Sequence, residues 1–287
     1  MRRLAWLALM ILAPLALGGC GGGTSAILPA ASVAAKGVTK AAEAARPITD
    51  SEEYYIGRAV AAQILGRYRL DQNAKLTQYV NEVGQAVAQK STRPNTYKGY
   101  HFAVLDTQEL NAFACPGGII FVTKGLIQTC ENEDQLAAVL AHEVGHVANK
   151  DGINSISQAR WTQVATAMGT EAARQYGGVA GNLVSLFEGS IDDVFKTIVV
   201  NGYSRDAEEK ADAAAVTELT RAGYDPNALV VLLTALEAKG KGSSSAIFKT
   251  HPPTSERLAK VKSSVGGSPA ESKGEKLRAA RFKKNVS

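Results

Sequence analysis

The feature that most constrains this chain is the run Leu-Ala-His-Glu-Val-Gly-His-Val-Ala, which places His142, Glu143 and His146 in an HExxH pattern. On a helix, two histidines four residues apart project from one face about one turn apart, so both imidazoles can reach the same metal ion. The glutamate lies beside that position, where its carboxylate can act on a water molecule. The pattern therefore predicts a zinc-hydrolase centre with two histidine ligands and Glu143 as the base.

The residues around this pattern favour a helix. Asn132 and Gln135 stand at the spacing of a capping box, which predicts the helix start. The apolar residues after them recur at the three-to-four spacing of a buried helical face, namely Leu136, Val139, Leu140, Val144 and Val147. A structural zinc protein without an open metal position is an alternative, and it predicts unfolding when the metal is chelated.

A catalytic zinc site commonly takes three protein ligands, so a third must come from elsewhere in the chain. An HExxHxxGxxH site is excluded because Asn149 and Gly152 stand where that pattern requires glycine and histidine. A later acidic helix offers Glu208, with Asp212 one turn further along to accept the second N–H of a ligand histidine. Spacing alone leaves Glu209 as an equally good carboxylate, and it leaves a solvated helix face open.

The first twenty residues have the pattern of a signal peptide. Arg2 and Arg3 precede an apolar run, 4–17, and Gly-Gly-Cys follows it. The order Leu-Gly-Gly-Cys20 resembles a bacterial lipobox, which implies a signal peptide over residues 1–19 and an acylated Cys20 that anchors the protein to a membrane. With Gly21 next, the resemblance implies the periplasmic face of the outer membrane. An uncleaved anchor or an ordinary signal peptide is the alternative.

The remaining chain is predicted to form one domain between two poorly structured ends. Residues 20–47 are rich in glycine and alanine and indicate a lipidated, flexible tether. The domain is predicted to span 48–265, and the basic residues 266–287 are predicted to form a disordered tail. The formal charge of +5 includes the two arginines of the signal peptide, so the mature excess is too small to favour nucleic acid as a partner.

The periodicity of the first half of the domain predicts helices followed by a small sheet. Thr49 and Glu52 can form a capping box for a first helix, and the apolar spacing in 76–87 predicts a second. Residues 101–105 and 118–123 are typical of strands, with Cys-Pro-Gly-Gly between them as a turn. Because this sheet precedes the HExxH helix, the prediction is an α+β, zincin-type domain that is mostly helical.

The second half has weaker signals. Helices are predicted over 205–221 and from Pro226 onward. The stretch 153–200 is helical in tendency, and its clustered glycines favour either a flap over a cleft or an ordinary loop between helices. Cys115 and Cys130 could pair in an oxidising compartment, but the sequence does not give their separation.

Four separate pieces of the chain resemble, in order, the HtpX-like zinc metallopeptidases. They are Asn111-Ala-Phe-Ala-Cys-Pro-Gly-Gly118, Leu140-Ala-His-Glu-Val-Gly-His146, Ser204-Arg-Asp-Ala-Glu208 with Ala211-Asp212, and His251-Pro-Pro-Thr-Ser-Glu-Arg257. The resemblance spans roughly residues 50–262 and is greatest to single-domain periplasmic lipoprotein members without helical repeats. It implies Glu208 as the third zinc ligand and Asp212 as its neighbour. Cys115 is a departure, because aliphatic residues are common there in the family.

The resemblance also implies roles for other residues. Asn111 and Ala112 correspond to backbone contacts on an edge strand that pairs with extended substrate, while Phe113 either joins them or packs in the core. His251 could stabilise the oxyanion of the tetrahedral intermediate, occupy the open position of zinc and hold the enzyme latent, or cap a turn. Arg205 could orient the carboxylates, or its stem could only pack.

Together these features predict a lipid-anchored endopeptidase with one Zn²⁺ per chain. Its expected substrates are unfolded or misassembled envelope proteins, and the outer-membrane assembly machinery is a candidate partner. The alternative function is a chaperone-like assembly factor that holds clients in the zinc cleft and rarely cuts them. Substitution of Glu143 separates the two, because only the peptidase requires a base.

Overall fold

A computed structural model describes residues 47–156, 191–240, 247–252, 255–266 and 274–286. Within these ranges the chain is mostly helical with one three-stranded sheet, which confirms the predicted α+β class. No helix in this part of the chain is both long and apolar enough to cross a bilayer. The predicted signal peptide, most of the tether and most of the glycine-containing stretch before residue 200 lie outside the described residues.

The elements follow one another in a simple order. The strands are β1 (His101–Leu105), β2 (Ala112–Cys115) and β3 (Ile119–Thr123). The helices are α1 (Asp50–Leu65), α2 (Ala74–Ala88), α3 (Lys124–Thr129), α4 (Glu133–Ala148), α5 (Asp151–Asn154), α6 (Arg205–Ala222), α7 (Asn227–Gly240), α8 (Ile247–Thr250), α9 (Ser255–Val265) and α10 (Glu275–Val286). A π-helical turn, Lys196–Asn201, precedes α6.

The sheet has the order β1-β3-β2, with β1 parallel and β2 antiparallel to β3. Strand β2 therefore lies at an edge of the sheet, as predicted, and the whole sheet precedes the HExxH helix in the chain. The predicted turn is a short 3-10 helix, Pro116–Gly118. Gly117 has φ 76°, and a Cβ there would lie 2.7 Å from Tyr54 Cα, so both the backbone conformation and the available space require glycine.

Of the two predicted capping boxes, one forms completely and the other forms in part. The α1 box is complete: the Thr49 hydroxyl accepts from the Glu52 amide, and the Glu52 carboxylate accepts from the Thr49 amide. At α4, Asn132 accepts from the Gln135 amide at 2.9 Å. The Gln135 side chain turns instead to the Glu131 amide, so only half of the predicted box forms.

Helix α4 lies in the middle of the domain and is buried along nearly its whole length. One hydrophobic cluster joins it to α2, α6, α7 and one face of the sheet, and a second cluster fills the space between the other face and α1. A Cβ on Gly145 would lie 3.0 Å from the Ala211 carbonyl oxygen, so glycine lets the α6 backbone approach α4 closely. This contact brings the acidic helix next to the HExxH helix.

The C-terminal segment forms helix α10, whereas the sequence analysis predicted a disordered tail. Phe282 is buried against the core. Arg278 donates to Asp134 at 3.0 Å, and Arg281 donates to Glu133. The prediction of a disordered tail is wrong because one face of this basic segment packs on the domain. Its arginines bind two buried acids at the start of α4.

Replacing Arg278 by methionine is expected to lower the free energy of unfolding by about 1.5–3 kcal/mol, the usual contribution of a hydrogen bond to a charged group. The reason is that Asp134, 4% exposed, would lose this partner while staying buried. Urea unfolding measures the change, and Lys276→Met on the exposed face of α10 is the control. A disordered tail predicts no difference between the two variants.

The two cysteines of the domain carry thiols and are not joined by a disulfide. Both are buried, Cys115 at the end of β2 and Cys130 just after α3. Burial raises the pKa of the Cys115 thiol, so it packs as a neutral side chain. The disulfide that the sequence analysis left open is therefore excluded in this fold.

Glu218 on α6 is a buried acid, and neither of its carboxylate oxygens has a hydrogen-bond partner in the described part of the chain. Burial raises its pKa from 4.5 to about 9, against smaller opposing effects of His142 and Arg221. The folded protein therefore keeps this carboxyl protonated at neutral pH, whereas the unfolded chain releases the proton. Between roughly pH 5 and 9 the native state binds more protons, so the free energy of unfolding falls as the pH rises.

Glu218→Gln is expected to remove this pH dependence. The stability advantage of the variant over wild type should be small near pH 5 and grow toward pH 9, by at most about 1.4 kcal/mol per pH unit. Urea unfolding at pH 5, 7 and 9 measures it, with the exposed Glu82→Gln as the control. Parallel pH profiles for wild type and Glu218→Gln would contradict a raised pKa.

Candidate metal centre

Four buried side chains converge on one point: His142 and His146 from α4, Glu208 from α6 and His251 just after α8. One donor atom from each lies within 4.8 Å of all the others. The two α4 imidazoles have their Nε2 atoms 3.1 Å apart. His251 Nδ1 lies 3.3 Å from His142 Nε2 and 3.0 Å from Glu208 Oε1. The three predicted ligands thus come from two helices, and His251 joins them from a third segment.

The donor set fits zinc. Tetrahedral zinc bonded at about 2.0–2.2 Å holds its ligand atoms roughly 3.3–3.6 Å apart. Glu208 Oε1 lies 3.4 Å from His146 Nε2, and Glu208 Oε2 lies 3.4 Å from His142 Nε2. Neutral imidazole nitrogens with one carboxylate are the donors that catalytic zinc prefers.

A carboxylate lies beside the Nδ1 atom of each α4 histidine. Asp212 Oδ1 lies 3.0 Å from His142 Nδ1, as the sequence analysis proposed, and Asp151 Oδ2 lies 2.7 Å from His146 Nδ1. A carboxylate beside Nδ1 favours the proton there, which turns the lone pair of Nε2 toward the cluster. The sequence analysis missed Asp151, which reaches His146 because Lys150 adopts a left-handed conformation between α4 and α5.

Arg257, and not the predicted Arg205, orients the carboxylates. Its guanidinium contacts Glu208 Oε2 at 2.7 Å and binds both oxygens of Asp212 at 2.8 Å. It also donates to the Pro252 carbonyl at 3.0 Å. Arg205 is exposed at the first position of α6, where a helical side chain leans past the helix start. Arg257 reaches the same carboxylates from α9, which packs across α6.

Burial and neighbouring charges shift the pKa values of His142 and Glu208 in the cluster. Burial by itself lowers the pKa of His142, but Asp212 and Glu208 outweigh it and raise that pKa to about 10. Burial raises the pKa of Glu208, yet the charge of His251 and hydrogen bonds from the α4 histidines hold it well below its usual range. A metal ion must displace these protons, so metal affinity should weaken as the pH falls.

Glu143 lies beside the donor cluster without belonging to it. The side chain is 2% exposed, and Oε2 has no hydrogen-bond partner among the described residues. The other oxygen, Oε1, lies 3.8 Å from His251 Nε2. A buried carboxylate oxygen left without a partner next to a metal site is placed to bind a water molecule or a substrate atom.

Tyr203 is a further residue that sequence reasoning missed. Its ring stacks on His146 with centroids 4.1 Å apart and an interplanar angle of 23°. Its hydroxyl lies 3.5 Å from the Ala114 carbonyl oxygen of β2. Burial raises the pKa of Tyr203, so the hydroxyl keeps its proton. The sequence indicated Tyr203 only by its position directly before the Ser-Arg-Asp-Ala-Glu motif.

The structure changes which backbone groups β2 can offer a substrate. Asn111 uses its carbonyl oxygen to accept from the Thr123 amide, and its own amide donates to the Thr123 hydroxyl. Bonded and non-bonded pairs alternate in an antiparallel ladder, so Ala112 and Ala114 point their backbone groups away from β3. Phe113 is fully buried, which fits the core alternative. Asn111 contributes through its side chain, whose oxygen accepts from the Ala112 amide.

Helix α8 covers the start of β2. The Ile247 amide donates to the Leu110 carbonyl, and the Thr250 hydroxyl donates to Asn111 Oδ1. On its other side α8 packs so closely on Gly202 that a Cβ there would lie 2.5 Å from the Thr250 carbonyl oxygen. These contacts hold the backbone that carries His251 into the cluster.

A small cavity of about 40 Å³ borders Glu143 and His251. Its remaining walls are mainly aliphatic and include Ala112, Leu126, Val139, Leu229 and Leu233. The arrangement therefore combines a metal site, a buried carboxylate, an edge strand and an apolar recess.

Comparison with known proteins identifies the family. The sequence profile of the family described as Peptidase family M48 matches residues 74–265. This chain belongs to peptidase family M48. Its members are zinc metallopeptidases, so residues 74–265 belong to a metalloendopeptidase domain that takes zinc as its cofactor, and the HtpX-like resemblance is confirmed.

Several proteins with curated names are similar to parts of this chain. The chain is 29% identical over 219 residues to the beta-barrel assembly-enhancing protease of Escherichia coli strain K12, covering 72% of this chain and 42% of that protein. It is 28% identical over 189 residues to metalloprotease LoiP of the same strain, covering 66% and 68%. It is 29% identical over 153 residues to the mitochondrial metalloendopeptidase OMA1 of Schizosaccharomyces pombe, covering 53% and 42%. The chain thus spans less than half of the first of these relatives.

Proposed function

We propose that this M48 peptidase is lipid-anchored at the periplasmic face of the bacterial outer membrane and cuts unfolded or misassembled envelope proteins. The observation that carries the chemistry is the convergence of His142, His146 and Glu208 beside Glu143, next to the edge strand β2. These three side chains would hold the zinc ion. When bound, zinc polarises the substrate carbonyl and makes water more acidic.

The residues of the chain then have separate roles. Glu143 takes a proton from the attacking water and later passes it to the leaving amine. Asp212 and Asp151 keep the two α4 imidazoles in the ligand orientation. The Ala112 carbonyl and the Ala114 amide offer hydrogen bonds to an extended substrate, a mode of recognition that tolerates varied sequences. An unfolded protein supplies such extended segments, whereas a folded one does not.

Two observations support the proposed location in the cell envelope. The order Leu-Gly-Gly-Cys20 with Gly21 resembles an outer-membrane lipobox. A relative is named for enhancing the assembly of β-barrels, although this chain matches only 42% of it. These observations favour unfolded outer-membrane proteins as substrates and their assembly machinery as a partner.

The experiment that tests this function has two parts. Wild type and Cys20→Ser are fractionated from cells, and the wild type alone should follow the outer membrane. One outer-membrane barrel protein, folded in detergent or unfolded in dilute urea, is then incubated with zinc-loaded enzyme. We expect cleavage of the unfolded form only. Equal cleavage of both forms, or a Cys20→Ser variant that still follows the membrane, would contradict the proposal.

The position of His251 supports a latent resting state. A catalytic zinc site keeps one position open for water or substrate, and a fourth protein donor closes it. His251 Nδ1 lies within the donor cluster, while α8 covers the start of the edge strand. Substrate that pairs with β2 would displace both. A latent enzyme that holds clients without cutting would resemble the chaperone-like alternative.

His251→Ala is expected to raise kcat/KM for cleavage of an unfolded protein by about tenfold or more, since minor open states are commonly populated at roughly 0.1–10%. A role as oxyanion stabiliser predicts the opposite, a loss of about 10²–10³-fold in kcat. Steady-state cleavage rates measure the sign of the change. The exposed His101→Ala serves as the control for loss of an imidazole.

A further inference from the structure

Three tyrosines, two of them exposed, form a cluster in the first half of α1 and in the loop before β1. The Tyr54 ring centroid lies 5.5 Å from that of Tyr55 and 5.7 Å from that of Tyr97. Tyr55 is 57% exposed and Tyr97 is 47% exposed. Large rings that pack on one another and still face solvent mark an interaction surface.

Two cations flank these rings. The guanidinium of Arg58 lies 5.9 Å from the Tyr54 ring centroid, and the ammonium of Lys98 lies 5.2 Å from that of Tyr97. Both side chains belong to exposed residues. The five residues Tyr54, Tyr55, Arg58, Tyr97 and Lys98 are called the tyrosine patch below.

The acids at the same end of α1 do not reverse the charge of the patch. Asp50 and Glu53 are paired with Arg93 and Lys150. The carboxylate of Glu52 is bound by the cap of α1. Four cations therefore face three acids in this region, which leaves a small positive excess beside the aromatic rings.

The patch lies where the chain enters the domain. The described residues begin at Pro47, seven positions before Tyr54. The sequence predicts a glycine- and alanine-rich tether between Cys20 and Pro47, and random-coil chains of that length have an end-to-end distance of about 30 Å. An acyl group on Cys20 would therefore keep this end of the domain close to the bilayer.

We propose that the tyrosine patch rests on the bilayer surface and orients the domain there, an inference that depends on the envelope location in the proposed function. A tyrosine has an apolar ring and a polar hydroxyl, which suits it to the headgroup region of a membrane. Arg58 and Lys98 face the anionic headgroups. A tether by itself limits distance without setting orientation, and the patch supplies that orientation.

The test measures vesicle binding without the acyl chain. Zinc-loaded residues 20–287 carrying Cys20→Ser are floated with phosphatidylcholine vesicles, with or without phosphatidylglycerol. Tyr55→Ser with Tyr97→Ser should lower the partition coefficient by about fivefold on both vesicles, since apolar area stays in water. Arg58→Gln with Lys98→Gln should lower it by about fivefold or more on the anionic vesicles only.

A matched control uses two other exposed apolar residues. Leu65 ends α1 and Leu70 follows it, and they are 40% and 42% exposed. The double substitution Leu65→Ser with Leu70→Ser should leave vesicle binding unchanged. All variants should keep the Tm and the kcat/KM of the parent toward a soluble peptide. If the tyrosine variants lose stability, the Arg58→Gln and Lys98→Gln substitutions still test the inference, because they should weaken binding to the anionic vesicles only.

Three results would overturn the inference. The parent could fail to bind either vesicle, or the leucine control could lose as much binding as the tyrosine variants. The tyrosine variants could instead bind vesicles normally and show a higher KM for unfolded protein, which would assign the patch to substrate. Because no acyl chain is present, failure here is distinct from failure of the lipid anchor, which cell fractionation reports, and from loss of peptidase activity.

Discussion

Replacing Glu143 by glutamine is expected to lower kcat/KM for peptide cleavage by about 10²–10⁴-fold, the usual contribution of a positioned general base. Glutamine has nearly the same shape but cannot accept the proton of the attacking water. Zinc should stay bound, because Glu143 is outside the four-residue donor cluster. A gel time course with an unfolded test protein measures cleavage, and metal analysis of the same sample measures zinc per chain.

Glu209→Gln is the matched control. Glu209 precedes Lys210 on α6, binds Lys260 at 2.6 Å and is not among the metal-site donors. Its substitution should leave both cleavage and zinc content unchanged. Cleavage by Glu143→Gln at the wild-type rate would remove Glu143 from the mechanism. Lost cleavage with normal client handling in cells would favour the chaperone-like function.

Replacing Arg257 by methionine is expected to lower the free energy of unfolding by about 3–5 kcal/mol, the effect of removing one partner of a buried ion pair. The guanidinium is buried and contacts both Glu208 and Asp212, so its loss leaves two buried carboxylates without that partner. Urea unfolding measures the change. Zinc affinity should also fall by about 10–100-fold, because Asp212 then orients His142 less well.

Arg205→Met is the control for this prediction, since Arg205 is exposed on the same acidic helix. It should change stability by less than about 0.5 kcal/mol. Arg257→Lys should recover only part of the loss, because lysine cannot bind both oxygens of Asp212 in the planar geometry of a guanidinium. Equal effects of Arg257→Met and Arg205→Met would mean that the observed contacts do not stabilise the site.

The features that were predictable from sequence all have a local period or spacing. The two histidines of HExxH are four residues apart on one helix, and the spacing of the apolar residues around them indicates which helix face is buried. The cap of α1 follows from Thr49 and Glu52, three residues apart. The i, i+4 pair Glu208 and Asp212 remained ambiguous by spacing, and the family resemblance was needed to prefer Glu208 over Glu209.

Most of the residues that were missed act across long separations in the chain. Asp151 is the exception: it lies five positions from His146 and depends on the left-handed conformation of Lys150. Arg257 meets Asp212 from 45 positions away, and Arg278 meets Asp134 from 144 positions away. A basic run looks solvated in sequence because nothing local shows that its acidic partners are buried. Asn111 was expected to offer its backbone to a substrate, but the pairing of β2 with β3 uses those groups.

The sequence by itself therefore determined that a helix would present two histidines and a glutamate to one metal ion, that an acidic helix would supply a carboxylate, and that a small sheet would precede them. The tertiary structure alone decided which arginine joins the carboxylates, which aspartate orients His146, and that His251 enters the cluster. The physical reason is the range of the interactions. Helical periodicity and capping act over three or four residues, whereas a buried ion pair depends on two segments whose approach is fixed by the packing of the whole core.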